Sequence, residues 1–556
     1  MTSELTIADL LTSYLREAGL RQVFGYPGES IVDFMEAARI GGLNVVSAAR
    51  EASAAFMAEG AAMATGRPGA VVSTLGPGST AVLNGVASAQ LDRVPLIAVS
   101  GQVDSRREQY WTHQLIDHDL LFSPVTKLAA RLEPPSADTV IRRALRTAVA
   151  ERPGAVHLTV GHDVFGKPVT EDRFSDVRLP PLDPAAAGIT FYPDTHSAKL
   201  ADDVTRVLAG ARRPVLLAGA GAVRGLAGEQ LAALASSAGI PVIVGAMAKG
   251  VIPEEHPYFA GVLDMAGHRV IGDLLASADL IITAGFDPVE LITPWRLTVP
   301  VLHVDAVPNV DQIYRADHEL VGHIPTALAW LRENAGPGPR WTQGQVAAHR
   351  AALRAAWQAG YDPAVLNPSE VVEITRSAAP AGTVVTADVG SHKIMAGQAW
   401  TTSAPRQALI TNGLSAMGFG LPAAIGASVA LGSSGEASGG AGVPVVSLCG
   451  DGGFAMTATE LSVAASRKLP IVVVVFGDGN LNRIVLHQQQ AGLPLTGTAV
   501  PSADIPALAE ALGCDGVRVS SSTGLEKALS GAFAAGRTRP LVIEARIGTS
   551  QYDAQF

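Results

Sequence analysis

The chain contains few cysteines, few charged residues and no long hydrophobic run. Its two cysteines, Cys449 and Cys514, lie in neither a CxxC motif nor a Cys/His spacing, so we expect no disulfide framework and no zinc site. Charged residues make up 17% of the sequence and the net charge is −10, which excludes the basic surface of a nucleic-acid-binding protein. No apolar run approaches the ~18 residues of a membrane span, and the N-terminal region lacks the apolar core of a signal peptide. We therefore predict a cytoplasmic protein without a membrane partner.

What the sequence does contain is a repeated alternation of short, β-branched apolar runs with Ala-rich stretches. The chain has 556 residues, too many for one hydrophobic core, and 48% of them are hydrophobic. Continuous apolar strands that alternate with helices are typical of parallel sheets covered on both faces. The predicted strands end in RQVFGYPG, LNVVSAARE, PGAVVSTLGPG, VPLIAVSGQ, GAVHLTVG, RPVLLAGAG, IPVIVGAM, DLIITAGFDP, VPVLHVDA, GTVVTADVG, QALITNG, VPVVSLCGDG, PIVVVVFGDG and PLVIEARIG. The predicted fold class is α/β.

Two stretches interrupt this alternation and divide the chain. Residues 173–199 are rich in Pro and Asp, and residues 333–345 are rich in Gly and Pro. We therefore predict three domains of parallel sheet covered by helices, over residues 1–172, 190–335 and 365–550.

The same tripeptide, Gly-Asp-Gly, occurs twice in the last third of the chain. Asp451 and Asp478 are the central residues of the two copies, each copy follows an apolar run, and Asn480 follows the second copy. One copy alone would be interpreted as a turn. Two copies on consecutive strands of one βαβ unit bring two carboxylates to the same sheet edge, where they can bind Mg²⁺.

Longer motifs around these residues resemble the thiamine-diphosphate (ThDP) enzymes. GDGGFAMTATELSVAASRKLPIVVVVFGDGNLNRI (450–484) resembles the motif by which those enzymes bind Mg²⁺ and the cofactor diphosphate. TADVGSHKIMAGQ (386–398) and ITNGLSAMGFGLPAAIGA (410–427) resemble the diphosphate-contacting and pyrimidine-contacting loops of the acetolactate synthase family. In the first third, the matching motifs are VFGYPG, AAREASAAFMAEGAA, STLGPGST, LDRVPLIAVSGQ and THQLIDHDLLFSPVTK. The resemblance covers residues 5–555, with all three domains in the family order.

The resemblance implies both an activity and an assembly. The three domains would be a pyrimidine-binding (PYR), a middle and a diphosphate-binding (PP) domain. With ThDP and Mg²⁺, the enzyme would decarboxylate pyruvate or a similar 2-oxo acid and transfer the hydroxyethyl unit to a second 2-oxo acid. The active site would lie between the PYR domain of one subunit and the PP domain of another, in a homodimer or homotetramer.

The resemblance also implies roles for individual residues. Glu51 would be catalytic, because the family's carboxylate at this position hydrogen-bonds the aminopyrimidine and promotes formation of the ylide. Without the family context, Glu51 is interpreted equally well as an acid that opens a helix, and His392 as a surface or cap histidine. The implied cofactor-binding residues are Tyr26, Pro27, Gly28, Gly390, Ser391, His392, Leu414, Met417, Asp451, Gly452, Gly453, Asp478, Asn480 and Leu481. The implied metal ligands are Asp451, Asp478 and the carbonyl of Asn480. The implied substrate residues are His113, Gln114, Lys127 and His487.

Several positions depart from the family pattern and leave the acceptor open. Arg50 replaces a His, Ala81 replaces an Asn, and His487 stands where the family carries Trp or Gln. The alternatives are transfer to an amine, aldehyde or CoA acceptor, simple decarboxylation to an aldehyde, and a non-catalytic homologue. FAD is not expected, because GAGAVRG (219–225) is not a dinucleotide fingerprint. In addition, ITAGFDPVEL (282–291) resembles the catabolic, flavin-free branch.

Overall fold

The computed structural model describes residues 5–170, 198–336, 338–432, 442–501 and 503–555. They form three six-stranded sheets in which every strand pair is parallel, with helices packed on the faces. This arrangement confirms the predicted fold class.

The first sheet has the strand order β2-β1-β3-β4-β6-β5. Its strands are β1 (Gln22–Gly25), β2 (Asn44–Ser47), β3 (Gly69–Ser73), β4 (Leu96–Gln102), β5 (Leu128–Leu132) and β6 (Ala155–Gly161). Its helices are α1 (Ile7–Glu17), α2 (Val32–Ile40), α3 (Glu51–Thr65), α4 (Gly76–Leu91), α5 (His118–Phe122) and α6 (Ala137–Val149). All residues of the central strands β3, β4 and β6 are buried, as expected for strands covered on both faces.

The second sheet has the strand order β12-β11-β10-β7-β8-β9. Its strands are β7 (Pro214–Ala218), β8 (Val242–Gly245), β9 (Phe259–Leu263), β10 (Leu280–Ala284), β11 (Val301–Asp305) and β12 (His318–Val321). The accompanying helices are α7 (Ala198–Gly210), α8 (Ala220–Arg224), α9 (Gly228–Ala238), α10 (His268–Ala276), α11 (Ile324–Asn334) and α12 (Gln343–Trp357).

The third sheet has the strand order β14-β13-β15-β16-β18-β17. Its strands are β13 (Val384–Ala387), β14 (Ala408–Ile410), β15 (Val445–Gly450), β16 (Val472–Gly477), β17 (Asp515–Val519) and β18 (Leu541–Arg546). Its helices are α13 (Pro368–Ala378), α14 (Ser391–Ala399), α15 (Gly420–Ala430), α16 (Asp451–Thr457), α17 (Leu461–Ser466), α18 (Asn482–Gln490), α19 (Ile505–Ala511), α20 (Ser522–Leu529) and α21 (Ser550–Asp553).

Helices α3 and α15 hold the first and third domains together through close backbone contact. A Cβ atom added at Gly426 would lie 1.9 Å from the carbonyl oxygen of Met57, and one added at Gly60 would lie 2.4 Å from that of Ala423. Glycine is therefore required at both positions, because the backbones of the two helices touch there.

Four strands were not predicted from the sequence: β5, β9, β12 and β17. Each lies at an edge of its sheet, where the strand has a neighbour on one side only. The predicted linker at 173–199 lies almost wholly outside the described residues, so it stays a prediction, as do the domain boundaries. None of the helices within the described residues is long and apolar enough to cross a membrane.

Candidate active site

A cavity of about 550 Å³ lies at the carboxyl ends of the strands of the third sheet. The loops that follow β13, β14, β15 and β16 all contribute to its wall. Ten of the predicted cofactor-binding residues line it: Gly390, Ser391, His392, Met417, Asp451, Gly452, Gly453, Asp478, Asn480 and Leu481. Ligands of open α/β sheets bind at this edge of the sheet, so the position of the cavity agrees with a binding site.

Asp451 ties two of these loops together. It is the first residue of α16, directly after β15, and one carboxylate oxygen accepts a hydrogen bond of 2.8 Å from the amide of Gly452. The other oxygen accepts a bond of 2.8 Å from the amide of Gly479, in the loop after β16. Burial raises the pKa of Asp451. The neighbouring amides fix the orientation of the carboxylate, and each oxygen retains a lone pair for a cation.

Asp478 lies beside Asp451 in the loop after β16. Its Oδ1 accepts a hydrogen bond of 2.9 Å from the amide of Asn480. Burial raises the pKa of Asp478 to about 6, and the negative charge of Asp451 acts in the same direction. Two neighbouring half-buried carboxylates repel each other, so a cation bound between them would stabilise both.

The donor set at this edge suits Mg²⁺. The carboxylates of Asp451 and Asp478 and the carbonyl of Asn480 are all oxygen donors, and Mg²⁺ commonly adds phosphate oxygens of a ligand to one or two carboxylates. No group of three or more His, Cys, Asp or Glu that could hold a metal occurs among the described residues, so a site built from protein side chains alone is not found there.

His392 closes the cavity behind a pair of glycines. Its side chain is buried and stacks on Phe476, with ring centroids 5.3 Å apart. A Cβ atom at Gly390 would lie 3.1 Å from the imidazole, and one at Gly450 would lie 3.2 Å from it. Burial lowers the pKa of His392 to about 3, and its Nε2 has no hydrogen-bond partner among the described residues. The interpretation of His392 as a surface histidine is therefore wrong.

Met417 lines the cavity opposite the loop after β15. A Cβ atom at Gly452 would lie 3.4 Å from the methyl group of Met417 and 2.9 Å from a methyl group of Leu481. The amide of Gly418 donates a hydrogen bond of 2.9 Å to the buried Asp388, which fixes the loop that carries Met417. Leu414, from the same loop, is exposed and does not line the cavity.

The predicted residues of the first domain lie at the carboxyl edge of their own sheet. Glu51 is half-buried and begins α3, so it does open a helix. A Cβ atom at Gly78 would lie 3.7 Å from its Oε1, so the missing side chain there leaves room beside the carboxylate. Tyr26, Pro27 and Gly28 follow β1 at the same edge. None of these four residues lines the cavity that the described residues form.

The predicted substrate residues are not brought together within one chain. His113 and Gln114 lie exposed in the loop after β4, and His487 is exposed on α18. Lys127 lies at the opposite, amino-terminal edge of the first sheet, directly before β5. Its ammonium donates hydrogen bonds of 2.6 and 2.8 Å to the backbone carbonyls of residues 150 and 152, which gives it a structural role in this chain. We therefore leave Lys127 out of the proposed site.

The cavity also contains polar residues that the sequence analysis did not select. They are Asp264, Lys393, Asn412, Ser415, Asn482, Arg483 and Tyr552. Lys393 lies inside the quoted motif TADVGSHKIMAGQ, next to the predicted His392. The one sequence signal that would have identified it is a charged residue inside a helix that is otherwise without charge and expected to be buried.

Three family profiles match the chain in the order of the three sheets. The N-terminal TPP binding domain of thiamine pyrophosphate enzymes matches residues 5–121, the central domain matches 201–331, and the C-terminal TPP binding domain matches 388–545. Thiamine pyrophosphate is another name for ThDP.

Curated relatives cover almost the whole chain. An acetolactate synthase of Bacillus subtilis is 30% identical over 94% of this chain and 90% of its own length. The acetolactate synthase isozyme 3 large subunit of Escherichia coli is 29% identical over 97% of this chain and 94% of its own. A catabolic acetolactate synthase of Raoultella terrigena is 29% identical over 95% of this chain and 92% of its own. The chain therefore belongs to the thiamine pyrophosphate enzymes and, among them, to the acetolactate synthase-like family.

Proposed function

We propose that this protein is a ThDP- and Mg²⁺-dependent carboligase. It decarboxylates pyruvate, or a similar 2-oxo acid, and transfers the hydroxyethyl unit to a second 2-oxo acid. The observation that carries the proposal is the single cavity in which four loops of the third sheet bring together ten predicted cofactor-binding residues. The names of the acetolactate synthase relatives support the choice of reaction.

Different residues of the cavity suit different parts of the cofactor. The glycines around His392 leave space for a diphosphate, and the partnerless Nε2 of that buried imidazole offers it a hydrogen-bonding group. Asp451, Asp478 and Asn480 would hold Mg²⁺ against the same diphosphate. Met417 would support the cofactor between its two ends. When bound, ThDP supplies the electron sink that decarboxylation of a 2-oxo acid requires.

Glu51 would act on the aminopyrimidine of the cofactor from a second subunit. Its carboxylate would hold or move a proton at the pyrimidine ring nitrogen. Within one chain Glu51 does not line the cavity. The edge that carries it is also rich in exposed apolar side chains: Tyr26, Val32, Tyr110, Trp111 and Leu120. We therefore infer at least a homodimer, in which this edge covers the cavity of another copy.

Paired charged side chains occupy part of the place in the middle domain where FAD would bind. A nucleotide would bind in the crevice at the carboxyl ends of the second sheet. Arg152 reaches into that crevice from the first domain and forms ion pairs with Asp287 and Asp311. Arg93 also bonds Asp287, at 3.0 Å. We propose that these ion pairs replace a flavin, and that the protein is colourless when pure. The two free thiols are buried, which supports the proposed cytoplasmic location.

Product analysis tests the proposed function. The purified protein is incubated with pyruvate, ThDP and Mg²⁺, with and without a panel of 2-oxo acid, aldehyde, amine and CoA acceptors, and the products are identified by mass spectrometry. We expect CO₂ and 2-acetolactate from pyruvate alone. Acetaldehyde without acetolactate would identify a simple decarboxylase. Product formation only with another acceptor would show that this acceptor, and not a second 2-oxo acid, receives the hydroxyethyl unit. The absence of any turnover would indicate a non-catalytic homologue.

A further inference from the structure

Lys393 is a buried lysine that forms no ion pair within the described parts of the chain. It is the third residue of α14, is 6% exposed and lines the candidate active-site cavity. Its ammonium donates a hydrogen bond of 3.1 Å to the side-chain oxygen of Asn412 and a long one of 3.4 Å to the hydroxyl of Ser415. Both partners are neutral, and an ammonium has three donors. One N–H of Lys393 is therefore left for another acceptor.

A second buried lysine shows what a structural role requires. Lys249 is 1% exposed and forms an ion pair of 2.7 Å with Glu254. It also donates a hydrogen bond of 2.9 Å to the carbonyl of Gly397, one helical turn after Lys393. Burying a charge is costly unless it is paired, and Lys249 meets that requirement inside the protein. Lys393 does not, although both ammonium groups lie beside the same helix.

The carboxylates around Lys393 each accept a backbone hydrogen bond, while Oδ2 of Asp92 and Oδ2 of Asp264 have no hydrogen-bond partner among the described residues. Asp92 accepts a hydrogen bond of 2.9 Å from the amide of Asn412, and Asp388 accepts one of 2.9 Å from the amide of Gly418. Asp264 accepts a bond of 2.6 Å from the amide of Met265. All three act on the charge of Lys393 through space without bonding to it. Burial lowers the pKa of Lys393, and the three carboxylates counteract this effect while leaving its remaining donor available.

The position of Lys393 separates it from the proposed metal site. Its ammonium is bonded to the loop after β14, whereas Asp451 and Asp478 follow β15 and β16. In the sheet, β13 lies between β14 and β15, so the ammonium and the two carboxylates lie on opposite sides of β13. Neighbouring strands are about 4.8 Å apart, so the two ends of the cavity are on the order of 10 Å apart.

The loop that holds the ammonium has an unusual backbone. Ser415 has a φ of 51°, in the left-handed region that a serine rarely adopts. Such backbone conformations cluster at sites that bind ligands. The bond from Lys393 to the Ser415 hydroxyl therefore joins a buried cation to a conformationally strained segment of the cavity wall.

We propose that Lys393 is a substrate-binding residue that donates a charge-assisted hydrogen bond to the carboxylate of the 2-oxo acid. The inference rests on the proposed function, because it takes the ligand of this end of the cavity to be the substrate. A diphosphate would offer the same anionic oxygens, but the metal-binding aspartates lie at the other end. The substrate carboxylate is the anion that remains.

A comparison of pyruvate with a neutral analogue in three proteins tests this role. In the wild-type enzyme and in the Lys393→Met and Lys249→Met variants, kcat/KM is measured with pyruvate, and the affinity for methyl pyruvate, its neutral ester, is measured as a competitive inhibition constant, because an ester cannot lose CO₂. We expect Lys393→Met to lower the ratio of kcat/KM for pyruvate to the affinity for the ester by about 10- to 100-fold, the usual effect of a hydrogen bond to a charged group. Lys249→Met should lower Tm and leave this ratio unchanged. Lys393→Arg should restore part of the ratio.

The affinity for ThDP and Mg²⁺, measured by calorimetry, separates the two sources of the anion. An unchanged substrate ratio with a weakened cofactor affinity in Lys393→Met would assign Lys393 to the diphosphate and overturn the proposal. An unchanged ratio with unchanged cofactor affinity would overturn it as well. If Lys393→Met does not fold, Lys393→Arg and Lys393→Gln are compared in its place. Only the Gln variant should then show the full decrease in the ratio. If the wild-type enzyme does not turn over pyruvate, the proposed function fails, and calorimetric binding of pyruvate to the wild type and the variant decides the role of Lys393.

Discussion

The carboxyl edges of the first and third sheets are built in contrasting ways. At the third sheet, four loops close around one cavity whose polar residues bond to one another within the chain. At the first sheet, Glu51 is half-buried, and the same edge carries exposed aromatic side chains, including Tyr110 and Trp111, which are 70% and 42% exposed. One edge is complete in a single chain, and the other presents a surface that a second chain would cover.

From this difference we expect the catalytic group and the binding energy for the cofactor to come from different edges. The third edge would supply the oxygen ligands and the glycine-lined space for an anionic cofactor. The first edge would supply the carboxylate of Glu51 and the uncharged residues Tyr26, Pro27 and Gly28, which would bind the cofactor less tightly. Substitutions at the third edge should therefore weaken binding, and substitution of Glu51 should reduce turnover without weakening binding.

Glu51→Gln should have the largest effect. We expect turnover of pyruvate to fall by about 10³-fold, the usual contribution of a general acid–base group. The affinity for ThDP should stay within about twofold of the wild type, since the amide keeps the shape of the side chain and one hydrogen-bonding oxygen. Steady-state kinetics and calorimetry measure the two quantities. Glu36→Gln, at an exposed position of α2, is the matched control. A variant that loses ThDP affinity and turnover together would contradict the division of labour.

Asp451→Asn should show the opposite pattern at the third edge. The amide removes a charged Mg²⁺ ligand and places an NH₂ group against one of the backbone amides that now bond the carboxylate. We expect the affinity for Mg²⁺ and ThDP to fall by at least about 100-fold, with activity partly recovered at high concentrations of both. Activity lost without any change in cofactor affinity would show that Asp451 is not a metal ligand.

Gly426→Ala should separate the two edges by loosening the helices that join them. The new Cβ would lie 1.9 Å from the carbonyl oxygen of Met57, so α15 must shift away from α3. We expect a loss of about 2 kcal/mol of stability, the middle of the range for overpacked sites, measured by denaturant unfolding. Gly210→Ala is the control, because nothing lies within 4 Å of the Cβ position there. Equal stability of the two variants would show that the helix contact is looser than described.

Asp478→Asn should have the smallest effect and the most specific one. Two carboxylates face the diphosphate when Mg²⁺ is absent, and one remains after the substitution. We expect the ratio of ThDP affinities with and without Mg²⁺ to fall by about 10-fold. Titration of the cofactor in Mg²⁺ and in a chelator measures this ratio. An unchanged ratio would refute the proposed electrostatic role of the second carboxylate.

The sequence predicted the central strands of the fold and missed four edge strands. Buried strands such as β16 are continuous apolar runs and were recognised from composition alone. Strands β5, β12 and β17 contain mostly half-buried residues, so their sequences are mixed and resemble loops. Strand β9 is short and has Gly261 at its centre, a residue that is unfavourable inside a strand. Edge strands depend on tertiary context, which the local pattern does not contain.

The candidate site divides in the same way. The residues of the Gly-Asp-Gly copies and the neighbouring loops were predicted because motif and fold position agree. Lys393 was missed because a lysine in a motif is ordinarily taken to be exposed, and its burial depends on packing of α14 against the middle domain. The position of Lys127 at the amino-terminal edge could not be predicted, because it depends on the strand β5, which the sequence analysis did not identify.

Complementation between two inactive chains tests the central claim, that one site uses both edges from different copies. A Glu51→Gln chain and an Asp451→Asn chain are co-expressed with different tags, and the heterodimer is purified through both. If Glu51 of one copy serves the Asp451 cavity of the other, the heterodimer contains one intact site and should show about half of the wild-type activity. If both residues serve a site within one chain, each site carries one substitution and the heterodimer stays as inactive as its parents.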